Sequence, residues 1–125
     1  METLLLIEND PATRVALAMI LRSFGYAVLE AGGRGEAWSV CVDYEGPIQL
    51  AILDNDYSRE FVTRLQIVCP LLCGVLFVSD ASQTKLADFP CEFAFLKKPF
   101  QVDALADAIK ALLYRPMKRP ATFAL

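Results

Sequence analysis

Residues 3–25 read TLLLIENDPATRVALAMILRSFG, and this stretch decides the fold. It opens on Thr3–Ile7, where Leu4, Leu5, Leu6 and Ile7 follow one another without a polar break. A strand with one wet face alternates apolar and polar side chains, whereas an unbroken run suits a strand covered on both faces, as in a parallel sheet. Glu8, Asn9 and Asp10 end the run, and the period then changes. Leu17, Ile20, Leu21 and Phe24 fall at i, i+3, i+4 and i+7, one stripe of a helix over Pro11–Phe24. Pro11 suits the first helical turn, where its missing N–H loses no bond, and Gly25 suits the residue just past the end. The stretch is a buried strand, a polar turn and a helix folding back over the strand.

The same unit recurs along the chain. Short apolar runs at Tyr26–Glu30, Gln49–Leu53, Gly74–Val78 and Phe93–Leu96 predict four further strands. Helical spacing predicts Gly35–Tyr44, then Glu60–Val68 stopped near Pro70, then Ser82–Phe89 ended by Pro90. A last helix is predicted over Val102–Tyr114, with Val102, Leu105, Ile109 and Leu112 on one stripe. Alternating strands and helices imply an α/β fold, an open parallel sheet with helices on both faces. Right-handed crossovers reduce the arrangements to a flavodoxin-like doubly wound (βα)5 fold, a five-stranded parallel sheet in the order 2-1-3-4-5. One domain is expected over residues 1–114, followed by a basic, Pro-containing tail over 115–125.

Composition removes whole classes of function. With 55% apolar and 22% charged residues, disorder is excluded. The chain has no histidine, which rules out Ser-His-Asp and Cys-His nucleophiles, His metal sites and phosphohistidine donation. A net charge of −3 argues against nucleic acid as the partner. The early apolar run Leu4–Ile7 follows Glu2 and is far too short for a signal segment or a membrane span, so no membrane is expected. Cys41, Cys69, Cys73 and Cys91 contain no Cys-x-x-Cys pair and are read as free, mostly buried thiols of a reducing cytoplasm. Trp38 is read as a packing residue of the second helix.

In such sheets ligands bind outside the carboxyl ends of the strands. The first strand is followed there by Glu8-Asn9-Asp10, the third by Asp54-Asn55-Asp56, the fourth by Ser79-Asp80 and the fifth by Lys97-Lys98-Pro99. Asp54 directly follows a buried apolar run and shares its rim with Glu8, while Lys98 supplies one positive charge. The surplus negative charge invites a hard divalent cation with oxygen ligands, Mg²⁺ first among them. A carboxylate beside Mg²⁺ can attack phosphorus and form an acyl phosphate, with a lysine and a hydroxyl holding the phosphoryl oxygens. Lys97, next to Lys98, is expected to point the other way, because strand side chains alternate.

These residues resemble the receiver domains of two-component response regulators. Leu4-Leu-Leu-Ile-Glu-Asn-Asp-Pro11 looks like the opening strand and acidic pocket, and Leu50-Ala-Ile-Leu-Asp54 like the phosphoacceptor strand. Val75-Leu-Phe-Val-Ser79 is similar to the switch-hydroxyl strand, and Phe95-Leu-Lys-Lys-Pro-Phe100 to the lysine motif. The resemblance spans about residues 3–114. It implies that Asp54 is the phosphoacceptor, paired with Lys98 as its catalytic partner, that Ser79 and Lys98 contact the phosphoryl group, and that Phe95 is the switch aromatic. Glu8, Asn9, Asp54 and the backbone carbonyl of Asp56 become the implied Mg²⁺ ligands. A sensor histidine kinase or histidine phosphotransfer protein is the implied donor. A downstream protein, or a second copy meeting the face of the fourth strand and last helix, is the implied receiver of the signal.

Three departures bear on that reading. Asn9 stands where the family usually has a second carboxylate, so Mg²⁺ is expected to bind more weakly. Asp80 places an anion where a small residue usually leaves the phosphoryl path open. The turn after Asp54 is short, Tyr57-Ser58 running almost directly into Arg59-Glu60. They motivate the alternative, a degenerate pseudo-receiver that binds a protein without phosphorylation. A flavodoxin-like cofactor protein fits less well, because Glu8-Asn9-Asp10-Pro11 stands where a Gly-rich phosphate loop would be needed.

Overall fold

The computed structural model describes residues 1–54, 59–79 and 91–114. Strands β1 (Thr3–Ile7), β2 (Ala27–Ala31), β3 (Leu50–Leu53), β4 (Gly74–Ser79) and β5 (Glu92–Lys97) form one parallel sheet in the order β2-β1-β3-β4-β5. Helices α1 (Pro11–Ser23), α2 (Arg34–Asp43), α3 (Arg59–Val68) and α4 (Val102–Leu113) accompany it. The helix expected over Ser82–Phe89 lies outside the described residues, as do Asn55, Asp56, Tyr57, Ser58, Asp80 and the tail. The elements begin and end within two residues of the expected positions. Tyr26, expected to open the second strand, precedes it, because the ladder starts where Thr3 registers with Ala27.

Side-chain alternation sorts the apolar residues into two layers. Leu4, Leu6, Leu50, Ile52, Leu76 and Val78 face one side and pack with Leu17 and Leu21 of α1 and Leu105, Ile109 and Leu112 of α4. Leu5, Ile7, Ala51, Leu53, Val75 and Phe77 face the other and pack with Ala37 of α2 and Phe61, Val62 and Leu65 of α3. Both faces of β1, β3 and β4 are buried, which is why their sequences do not alternate. β5 is an edge strand and only half-buried. Trp38 is half-buried against Phe61, ring centroids 4.8 Å apart, and joins α2 to α3. Gly74 opens β4 where a Cβ would meet the Glu92 carbonyl oxygen at 2.9 Å, so the start of β4 has no room for a side chain.

α1 is tied down at both ends. Asp10 is its N-cap, the carboxylate accepting from the Thr13 N–H at 2.9 Å, and Pro11 follows at the first helical position. Past the C-terminus Gly25 takes φ +97°, a left-handed conformation that favours glycine. Glu30 of β2 receives Arg22 at 3.0 Å and Arg14 at 3.8 Å, fastening the helix to the sheet edge. The Thr13 hydroxyl and backbone N–H hold the Asp10 carboxyl below its ordinary 3.8. A depressed folded-state pKa gives stability that is present above the unfolded value and lost as pH falls through the folded one. Between pH 5 and 2 the thermal midpoint of Asp10→Asn is therefore expected to fall less steeply than wild type, as circular dichroism melts would show.

Candidate functional site

The register fixes what meets at the carboxyl rim of the sheet. Ile7 of β1 pairs with Leu53 of β3, so Glu8 and Asp54, the next residue on each, emerge side by side. Leu53 pairs with Phe77 of β4, and Ser79 ends that strand opposite Lys97 of β5. The Lys98 N–H donates to the Ser79 carbonyl at 2.7 Å, which carries the ladder one residue past the strand and seats Lys98 beside β4. Ser79 is buried and Asp54 half-buried at the rim.

Glu8 is held on several sides. It is 9% exposed, and burial of a carboxylate demands partners. Its Oε1 lies 3.4 Å from Lys98 Nζ, and its Oε2 accepts from the Asp10 N–H at 3.0 Å. Its backbone is held as well: the N–H donates to the Ala31 carbonyl at 3.0 Å, and its own carbonyl accepts from Arg14 Nη1 at 2.8 Å. Arg14 was not anticipated from sequence. It lies six residues beyond Glu8, across a turn and a helix start, and no single period links the two.

The sequence-predicted residues divide by position. Glu8, Asp54, Ser79 and Lys98 share the rim, Lys98 half-buried and its neighbour Lys97 exposed. Asn9 is exposed, and the carboxylate of Asp10 is engaged as the cap of α1. Asp56 lies outside the described residues. Phe95 is half-buried in the layer of α2 and α3 with Phe93, which packs edge-on to Phe77 at 6.4 Å. Phe100 packs in the opposite layer, so the three phenylalanines are divided by the sheet. Of the four cysteines, Cys69 is buried, Cys41 and Cys91 are half-buried, and Cys73 is exposed, contrary to the expectation of mostly buried thiols.

The available donors for a cation are all oxygens: Glu8, the Asn9 amide and Asp54. That chemistry suits Mg²⁺ rather than a transition metal. Among the described residues no three His, Cys, Asp or Glu side chains gather into a metal centre. Beside the rim, Thr13, Leu17 and Ile20 of α1 with Pro99, Phe100 and Val102 line a largely apolar cleft of about 560 Å³ that reaches Lys98. No helix among the described residues is long and apolar enough to cross a membrane.

No family model matches the chain. It is 29% identical over 118 residues to the sensor kinase CckA of Brucella abortus (strain 2308), covering 89% of this chain and 12% of that protein. The chain spans about a tenth of the length of the curated relatives it matches. Among solved structures it is similar to the receiver domain from hybrid histidine kinase CckA. That likeness has a TM-score of 0.71 and 26% identity, over 89% of this chain and 98% of the other. The response regulator TrrA of Thermotoga maritima, in complex with Mg(2+)-BeF, is similar in fold. Its TM-score is 0.73 at 22% identity, over 90% of this chain and all of that one. Strand order, coverage of almost an entire receiver domain and a sequence match to a sensor kinase agree: the chain has the CheY-like fold and is similar to the receiver domain of hybrid histidine kinase CckA.

Proposed function

We propose that the chain accepts a phosphoryl group on Asp54 from a sensor histidine kinase or histidine phosphotransfer protein and signals through altered protein contacts. The observation that supports this most is the shared rim: Asp54 and Glu8 leave adjacent strands in register, and Lys98 is held between Glu8 and the end of β4. A carboxylate oxygen of Asp54 attacks phosphorus, and the bond from phosphorus to the donor atom breaks as the donor leaves with its electron pair. Lys98 then pairs with a phosphoryl oxygen, and the Ser79 hydroxyl donates to another.

Glu8, Asn9, Asp54 and the Asp56 carbonyl would hold Mg²⁺, which would supply the remaining positive charge, and millimolar rather than micromolar metal would be needed because Asn9 is neutral. The apolar cleft between α1 and Pro99–Val102 offers a donor protein a surface within reach of Lys98. After transfer Ser79 moves toward the acyl phosphate, Phe95 fills the space released, and the face of β4, β5 and α4 changes. A downstream protein or a second copy of the chain, in the cytoplasm, binds that face.

A second reading is favoured by Glu8 itself. Both of its carboxylate oxygens are already engaged, by Lys98 and by the Asp10 N–H, and Asn9 adds no charge. In that reading the domain is a pseudo-receiver whose partner binding ignores Asp54. Titration with Mg²⁺ and beryllofluoride, followed by amide NMR, separates the two. Shifts at Asp54, Ser79 and Phe95 are expected, and an unchanged spectrum at millimolar Mg²⁺ favours the pseudo-receiver.

A further inference from the structure

We propose that Cys41 and Cys69 form a reversible dithiol–disulfide pair that links the end of α2 to the end of α3. Cys41 lies in the last turn of α2, and Cys69 is the first residue after α3. They are 28 positions apart in sequence, yet their sulfurs are 3.7 Å apart. Bonding requires the sulfurs to close to about 2.05 Å, a movement that rotation of the half-buried Cys41 side chain can supply. Access is provided by a cleft of about 300 Å³ whose lining includes both cysteines, Tyr44, Pro47 and Leu71. Cys73, exposed on the far side of Pro70, directs its sulfur to the Leu71 carbonyl at 3.8 Å instead.

The reaction needs a two-electron oxidant, and a small peroxide fits the cleft. The Cys41 thiolate attacks a peroxide oxygen, the O–O bond breaks, and the departing hydroxide takes a proton to become water, leaving a sulfenic acid. The Cys69 thiol, losing its proton, attacks that sulfur. The S–O bond breaks, a second water leaves, and the S–S bond forms, so that two thiols are oxidised and one peroxide is reduced. Burial raises both thiols, Cys69 to about 12, and the contact with Cys69 partly offsets the rise at Cys41. Cys41 is therefore the first sulfur to react, and oxidation quickens as pH rises. The bond closes a loop that contains β3, Asp54 and α3.

Treatment of the full chain with hydrogen peroxide, then thiol counting and non-reducing peptide mapping, tests this. Free thiols are expected to fall from the four of the reduced chain to two, with Cys41 and Cys69 in one crosslinked peptide and full reversal by dithiothreitol. The thermal midpoint is expected to rise by roughly 10 °C on oxidation. Cys41→Ser and Cys69→Ser are each expected to prevent the crosslink, while mapping of the wild type stands whether or not either variant folds. A crosslink through Cys73 or Cys91, four thiols surviving or singly oxidised, or a crosslinked chain with a lowered midpoint overturns the proposal.

Discussion

Asp54→Asn is expected to abolish labelling of the chain by acetyl phosphate, and Lys98→Ala to slow it by about 100-fold or more. Intact mass measures both, by the gain of one phosphoryl group per chain over time. The first effect is complete because an amide lacks the anionic oxygen that bonds to phosphorus. The second rests on charge. A pentacoordinate phosphorus surrounded by Glu8 and Asp54 carries negative charge toward negative charge, and Lys98 is the cation seated at that rim. Removing one such preorganised group from a transition state commonly costs two to three powers of ten, which is the basis of the figure. Lys98→Ala also leaves Glu8, nearly buried, with only the Asp10 N–H on its side chain among the described residues, so a loss of stability accompanies the loss of rate. Labelling at wild-type rate in Lys98→Ala would assign the lysine to the Glu8 pair alone, and labelling that persists in Asp54→Asn would place the phosphoryl group elsewhere.

Phe77→Ala is expected to lower the stability of the fold by about 3–5 kcal/mol. Phe77 has no exposed surface and lies between Leu53 of β3 and Phe95 of β5 in register, with Phe93 edge-on to its ring. Deleting the ring removes its burial and leaves a cavity in a layer clamped by the sheet and by α3, which relaxes only in part. Urea denaturation reads the change as a shift in midpoint at constant slope. A native domain of ordinary stability, about 5–15 kcal/mol, is brought close to its limit by such a loss. Phe77→Leu, which restores most of the volume, is expected to recover the greater part. A loss below about 1 kcal/mol in Phe77→Ala would mean that α3 closes onto the sheet and fills the space.

Much of the rim was legible before any coordinates. A residue directly after a buried strand must leave the sheet at its carboxyl end, so Glu8, Asp54 and Ser79 could be assigned to one rim from the apolar runs alone. Element boundaries were less legible, because hydrophobicity continues where hydrogen bonding stops. Tyr26 is buried but unladdered, and Ser79 and Lys97 are polar but laddered. Phe93, Phe95 and Phe100 lie close together in the linear chain, yet alternation along β5 and the turn after it send Phe95 and Phe100 to opposite faces.

The sequence by itself determined the class of fold and the four polar positions at the rim, because periods of two and of three to four residues encode burial locally. Tertiary structure alone decided the pairs. Glu8 and Lys98 are 90 residues apart and Cys41 and Cys69 are 28 apart, and no local period can couple positions so distant. It also decided how the charge is spent. Composition registers a surplus of acids over bases, whereas the fold buries one of those acids against a lysine and a backbone N–H and turns another into a helix cap. The physical reason is that desolvation at the end of a buried strand forces Glu8 to find partners, and which partner lies within reach is set by how the strands are ordered in space.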